Sequence, residues 1–135
     1  ANKKKRLYIP PAVPPSSDLE HMSGPEFEEY CAFLLHGDGF KDIFLTSGSG
    51  DQGVDILAEK DGIKYAIQCK HFAAAVGNKA VQEVAAGKAF YSCHVGVVMT
   101  NTTFTKGAKD LAGITGTLLW GKRRLNSFAH SVIHT

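Results

Sequence analysis

The chain is poor in cysteine, and its three cysteines (Cys31, Cys69 and Cys93) are scattered and include no Cys-x-x-Cys pair. An odd number without close spacing argues against a disulfide-stapled scaffold and a zinc knuckle, and it favours a reducing, cytoplasmic compartment. The sequence also lacks a signal peptide and an apolar run long enough to cross a bilayer. Because it does not begin with methionine, we expect a piece of a longer protein, whose preceding part could carry further domains or a membrane segment.

Acidic residues are scarce in the second half. Of the thirteen in the chain, only Glu83 and Asp110 follow Gly62, although the formal net charge is just +2. The resulting excess of lysine and arginine predicts a cationic surface, which suits the phosphate backbone of nucleic acid. A lysine surface that is merely solvated is the alternative.

Residues 1–20 have the composition of a linker. A basic run at 3–6 is followed by four prolines between positions 10 and 15, which favour extended, semi-rigid chain. We therefore predict a linker or tail over 1–20 and one folded domain over 21–135. The tail could touch nucleic acid or anionic lipid, or it could serve only as a solubilising tether.

One predicted β-hairpin gathers the polar residues of interest. Asp61-Gly62 lies between two β-type runs, which is the strongest short-range signal for a hairpin. Counting back from a two-residue turn pairs Asp55 with Gln68. Because side chains alternate along a strand, Asp55, Gln68 and Lys70 share one face near the open end of the hairpin. The other face carries an apolar set that we expect to face the core: Val54, Ile56, Ala58, Ile63, Tyr65, Ile67 and Cys69.

The remaining segments predict an α/β fold. A capping box, Ser23-x-x-Glu26, begins a helix that glycines at 37 and 39 end. Further strands are predicted at 40–46, 94–100 and 117–120, with helices at 78–91, from Thr105 to about 112, and in the basic stretch 121–135. The order α-β-β-β-α-β-α-β predicts a mixed sheet, antiparallel at the hairpin, with helices on both faces.

The loop 47–53 contains Gly48-x-Gly50-x-x-Gly53, which formally matches a dinucleotide-binding fingerprint. That fingerprint requires a helix directly after the glycines, whereas a strand follows here, so we reject the match. The glycines instead suggest room for a nucleic-acid backbone to approach Asp55. A flexible connector is the alternative.

Several motifs, taken in order, resemble the Mrr-like restriction endonuclease domain, a branch of the PD-(D/E)xK nuclease superfamily. The motifs are Phe27-Glu28, the run 49–55 (Ser-Gly-Asp-Gln-Gly-Val-Asp), Gln68-Cys69-Lys70, Val76-Gly77, and the run 100–108 (Thr-Asn-Thr-Thr-Phe-Thr-Lys-Gly-Ala). The resemblance covers about residues 22–125 and implies the restriction-endonuclease-like αβββαβ core. It also implies a cytoplasmic protein of prokaryotic or phage-like origin.

The resemblance assigns the site. It implies Mg²⁺ as the cofactor, with Mn²⁺ able to substitute, and no small-molecule cofactor. Asp55 matches the metal-binding acid of the second core strand, Gln68 replaces the usual acid of the (D/E)xK pair, and Glu28 matches the helix glutamate. Oxygen ligands of this kind suit Mg²⁺, and Lys70 would orient or deprotonate the attacking water.

DNA is the expected partner, and a homodimer is compatible with the resemblance because two strands need two sites. Thr105 is also explained by a simple helix N-cap, and His71 by an exposed surface position. The match of Gln82 to a family glutamine is loose. The candidate DNA contacts are Gly50, Gln52, His71, Lys79, Gln82, Thr105 and Lys106.

The resulting hypothesis is a Mg²⁺-dependent DNA endonuclease acting in restriction of foreign or modified DNA. A structure-specific, junction-resolving nuclease is the alternative within the same class. A catalytically silent DNA-binding module and a protein-interaction module are alternatives of other classes.

Overall fold

The fold is a mixed six-stranded sheet with two helices on each face. The computed structural model describes residues 5–46 and 53–134. In chain order, its helices and strands are β1 (Arg6–Leu7), a 3₁₀ turn (Leu19–His21), α1 (Gly24–Gly37), β2 (Lys41–Leu45), β3 (Ile56–Lys60), β4 (Ile63–Lys70), α2 (Asn78–Phe90), β5 (Val95–Thr100), α3 (Lys106–Thr115), β6 (Leu118–Trp120) and α4 (Lys122–His134). Within these residues, no helix is both long and apolar enough to span a membrane.

The six strands follow one another across the sheet in sequence order. Strands β1 to β4 pair antiparallel to one another, whereas β4, β5 and β6 are parallel. They are parallel because α2 and α3 each carry the chain back to the end of the sheet at which the preceding strand began. The predicted α/β architecture, with a mixed sheet that is antiparallel at the hairpin, is therefore confirmed. The helix predicted in the basic stretch 121–135 is confirmed as α4, and β1, at one edge of the sheet, was not predicted.

The hairpin has the register that its turn predicts. Asp61 and Gly62 both adopt positive φ (54° and 79°), as a tight two-residue turn requires. The ladder then runs from Lys60 opposite Ile63 to Ile56 opposite Ile67. Most of the predicted core face is buried. Ile63 is an exception, with 38% exposure, because it lies at the turn beyond the reach of the helices.

Helix α1 begins where its capping box predicts. The Ser23 side chain accepts a hydrogen bond from the Glu26 backbone N–H (3.1 Å), and the Glu26 carboxylate accepts one from the Ser23 N–H (2.8 Å). The apolar side chains on one side of α1 are buried, and together with α4 this helix covers one face of the sheet. Helices α2 and α3 cover the other face through smaller clusters around Val98 and Val81.

The segment predicted as a linker contributes to this domain at both of its ends. Arg6 and Leu7 pair with β2, the Tyr8 N–H donates to the Ile43 carbonyl oxygen (2.8 Å), and the side chains of Tyr8 and Leu19 are buried in the core. The two proline pairs between these ends give no sign of the docking in the sequence, because only Tyr8 and Leu19 bury their side chains. The boundary at residue 20 stays a prediction about domain organisation.

Candidate functional site

The candidate site lies where β3 and β4 separate, at the open end of the hairpin. The Asp55 N–H donates to the Ile67 carbonyl oxygen (2.8 Å), and the Asp55 carbonyl oxygen accepts from the Thr46 N–H (2.9 Å). Its carboxylate oxygen Oδ2 accepts a hydrogen bond from the Cys69 N–H (2.7 Å). The carboxylate thus occupies the position of the next rung of the ladder, which fixes it beside β4. The expected backbone pairing of Asp55 with Gln68 is replaced by this side-chain contact.

Gln68 is the most unusual polar residue of the site. Its side chain is only 4% exposed and lies on the face covered by α2. Its Nε2 donates to Oε1 of Glu83 (3.2 Å), while its own Oε1 accepts no hydrogen bond from any described residue. A carboxylate can only accept, so the amide nitrogen must face Glu83 and the oxygen must point away from it. A buried amide oxygen without a partner costs about 1–3 kcal/mol, which an ordered water or a bound cation would recover.

Glu83 links the amide to the lysine of the motif. Its Oε1 also lies 3.8 Å from Nζ of Lys70, so one carboxylate contacts both residues of the Gln-x-Lys pair. The sequence argument named Gln82 instead, which is exposed one position away on the helix. Ala80 and Val84 are buried three positions before and one position after Glu83, which puts Glu83 close to the inward stripe of α2. That spacing, together with the rarity of acids in this half, is the signal that could have identified it.

Gly53 lets the chain that leads into Asp55 lie directly against α2. Its φ is +70°, and a Cβ added there would come within 2.7 Å of the Cβ of Glu83 and 2.9 Å of its carbonyl oxygen. Two separate features therefore require glycine at position 53: the positive φ and the close contact with Glu83. This close approach brings the backbone of the Asp55 segment and Glu83 to the same end of the sheet.

Glu28 approaches from the opposite face, on α1. It is half-buried and lines a cavity of about 250 Å³ with Arg6 and Thr46. The pKa of the Cys69 thiol is raised well above its usual value, first by a hydrogen bond with Cys31, then by burial, and further by the negative charges of Cys31, Asp55 and Glu28. Both carboxylates therefore act on one thiol, which puts them near the same end of β4.

The described ranges 5–46 and 53–134 contain no group of three or more histidine, cysteine, aspartate or glutamate side chains that could hold a metal ion. The predicted ligand set includes an amide, however, and Gln68 Oε1 is a hard, neutral oxygen with an open acceptor position beside a carboxylate-bearing segment. That donor set, completed by water, fits Mg²⁺ or Mn²⁺, which prefer oxygen ligands and retain several waters.

Two of the predicted DNA contacts have clear partners within the protein. The His71 ring lies 2.6 Å, through Nε2, from the Leu19 carbonyl oxygen and packs edge-on against Phe27. Since the carbonyl oxygen can only accept, Nε2 must carry a hydrogen. Thr105 is the N-cap of α3, where its hydroxyl accepts from the Ala108 N–H (3.1 Å). Both residues thus hold structural elements in place.

The other predicted contacts lie on or beyond the described surface. Lys79 and Gln82 are exposed on α2, and exposed Lys106 forms an ion pair with Asp110 (2.7 Å). Helices α2 and α3 begin side by side, because Asn78 lies against Gly107. Gly50 and Gln52 lie outside the described residues, as do the first two glycines of the rejected fingerprint.

Comparison with known proteins agrees with this architecture. A solved structure of a protein of unknown function, AF1548, is 27% identical with a TM-score of 0.57, and the match covers 70% of this chain and 55% of that one. The MspJI restriction endonuclease, solved in complex with a 27-mer oligonucleotide, is 16% identical with a TM-score of 0.56, over 93% of this chain and 36% of that one. The chain therefore spans about half and about a third of these relatives, and no curated protein matches it.

The family comparison is more specific than these structures. The pattern of the Mrr catalytic domain family, described as a restriction endonuclease, matches residues 19–128, which is most of the chain. The match runs from the 3₁₀ turn into α4 and includes every residue of the candidate site. The chain belongs to the Mrr-type restriction endonuclease family.

Proposed function

We propose that this domain hydrolyses phosphodiester bonds of DNA with the help of a divalent cation, Mg²⁺ or Mn²⁺. The observation that carries the proposal is the buried Oε1 of Gln68, which has no donor among the described residues. Gln68 lies one position past the last rung of the hairpin ladder, Ile56 opposite Ile67, and two positions before Lys70 on the same strand face. A buried oxygen without a donor can accept a bound cation or an ordered water.

Each polar residue then has a role in holding the substrate or the cation. Asp55 and Gln68 would hold the cation from the strands, and Glu28 would hold it from α1. The bound cation would neutralise charge on the scissile phosphate and lower the pKa of a bound water. Lys70 lies beyond the amide on the same strand face and would position the attacking water and stabilise the negative charge that develops on the phosphate.

Glu83 contacts Gln68 and Lys70, and it does not contact the DNA in this proposal. By accepting from Nε2, it turns Oε1 of Gln68 away from α2. Its charge also keeps the Lys70 ammonium near the site, 3.8 Å away. We therefore regard Glu83 as a positioning residue. Its removal should leave the ligands present but misdirected.

The proposed biological role is restriction of foreign or modified DNA. A double-strand break would require two such sites, so we expect two copies to act together on one duplex.

A plasmid assay tests the proposal directly. Supercoiled DNA is incubated with the protein and Mg²⁺, Mn²⁺ or EDTA, and nicked and linear products are measured. Asp55→Asn keeps an oxygen that can accept from the Cys69 N–H but removes the charge, and Lys70→Ala removes the ammonium. Both should lower the rate by at least about a hundredfold, which corresponds to roughly 3 kcal/mol of transition-state stabilisation. Lys109→Ala, an exposed lysine on α3, is the matched control and should retain activity.

The alternatives have distinct outcomes. DNA binding without nicking under any metal condition identifies the silent module. Cleavage of branched but not linear duplexes identifies a junction-resolving enzyme. If the protein does not bind DNA even at low salt, where phosphate contacts are strongest, it is a protein-interaction module and the proposal is refuted.

A further inference from the structure

The segment directly after Lys70 exposes apolar side chains beside the candidate site. Phe72 is 43% exposed, and the three alanines that follow it, at 73–75, are exposed as well. An exposed connection usually carries polar residues, whereas this one has none between His71 and Val76. Phe72 and these alanines together form one continuous stretch of exposed apolar surface, and an apolar patch can mark a contact site although a single exposed apolar side chain is ordinary.

This segment is held rigidly from the neighbouring strand. The Asn101 side chain accepts a hydrogen bond from the Phe72 N–H through Oδ1 and donates one through Nδ2 to the Phe72 carbonyl oxygen, both at 2.8 Å. The Thr102 hydroxyl donates to the Ala74 carbonyl oxygen (3.0 Å). The backbone of Phe72 is thus fixed before any ligand binds. This arrangement reduces the entropy that a binding contact would otherwise lose.

Phe72 contacts both Lys70 and a cavity. Nζ of Lys70 lies 5.8 Å from the centre of the Phe72 ring. Phe72 also lines an open cavity of about 520 Å³, together with Asn101 and Lys122 among others. This volume is in the range of small-ligand sites. Its lining includes Glu20 as well as Lys122, and Lys70 is not part of it. Lys70, which contacts the ring, therefore supplies the positive charge that favours a phosphate next to Phe72.

We propose that Phe72 stacks on one nucleobase next to the scissile phosphate and so seats the substrate strand beside Lys70. This inference rests on the proposed function, because it needs DNA at the site. The ring is flat and apolar, so it suits a base and not a phosphate, while Lys70 takes the phosphate. Since every base has a stacking face, the contact is tolerant of sequence.

The first test measures binding without cleavage. A labelled duplex is titrated by fluorescence anisotropy in Ca²⁺, with the full chain throughout. Phe72→Leu keeps an apolar side chain but loses the ring, and it should raise the Kd for DNA about 5- to 100-fold. Phe72→Trp should bind within about threefold of the wild type. Phe90→Leu is the matched control, because Phe90 is 63% exposed at the far end of α2, and its Kd should not change.

The second test locates the base. One abasic position is introduced into an end-labelled duplex, and cleavage of the flanking bonds is compared with the unmodified duplex. In the wild type, cleavage of one neighbouring bond should fall about 5- to 100-fold, whereas Phe72→Leu should show little further loss there, since the partner of the base is already gone.

The outcomes separate this inference from the function beneath it. If the wild type neither binds nor nicks DNA, the proposed function fails and the stacking contact fails with it. If the wild type is active but Phe72→Leu binds equally well, or loses only its rate at saturating DNA, the ring acts on Lys70 and not on a base. Only the stacking inference is then overturned.

Discussion

Exchanging the two partners of the Gln68–Glu83 hydrogen bond tests the geometry on which the site depends. Gln68→Glu would put a second carboxylate about as far from Glu83 as the amide now is, 3.2 Å. Two unit charges at that distance repel by roughly 5 kcal/mol at an effective dielectric constant of about 20. The Glu83 side chain is 37% exposed, so water screens part of this repulsion. With the lost charged hydrogen bond included, we expect a loss of about 3 kcal/mol at pH 8.

The loss should depend on pH with a definite sign. Repulsion raises the pKa of a carboxyl in the folded variant, so the variant gains stability as the pH falls and a proton binds between the two groups. At pH 5 the deficit should shrink to about 1 kcal/mol. Urea unfolding at both pH values measures this, and the melting temperature at pH 8 should fall by roughly 10 °C for a chain of this length.

The double variant, Gln68→Glu with Glu83→Gln, is the matched control. It has the same atoms as the wild type with donor and acceptor exchanged, so most of the lost stability should return at every pH. The reasoning is refuted if Gln68→Glu is as stable as the wild type at pH 8, or if the second change restores nothing. Added Ca²⁺ should stabilise the double variant more than the wild type, because its ligand at position 68 is charged.

Three further predictions use other parts of the structure. Gly53→Ala should destabilise the fold by more than Gly62→Ala, by about 1–3 kcal/mol in urea unfolding, because both residues have positive φ but only the first would collide with α2; equal losses would contradict the contact. The pKa of Cys69 is raised by its hydrogen bond with Cys31 and by burial, so the free energy of unfolding should be level up to about pH 8 and fall above pH 9. The fall should be less steep in Cys69→Ala. An equal slope in both proteins would show that this thiol does not cause the pH dependence. Lys79→Ala and Lys106→Ala should each reduce the salt dependence of DNA binding by about one phosphate contact, and an unchanged slope would remove that lysine from the DNA surface.

The relation between two of the site residues was readable from the sequence. Turn chemistry at Asp61-Gly62 and the two-residue period of a strand together set the register, so Gln68 and Lys70 had to share a face and Asp55 had to lie at the open end of the hairpin. The start of α1 was equally local, because a capping box satisfies its first N–H groups within a single turn. Interactions over a few residues carry this information, and no long-range packing can easily overrule it.

Helical spacing puts Glu83 close to the inward stripe of α2, and tertiary packing decided that Glu83 and not Gln82 meets the amide. The rotation of that helix about its axis follows from how Val81 and Val84 pack on α3 and on the sheet, and this selected Glu83 over Gln82. Packing likewise gave His71 a partner in the distant Leu19 carbonyl oxygen. It also left Oε1 of Gln68 buried without a donor among residues 5–46 and 53–134, a property that belongs to the assembled environment and has no counterpart in the order of the residues.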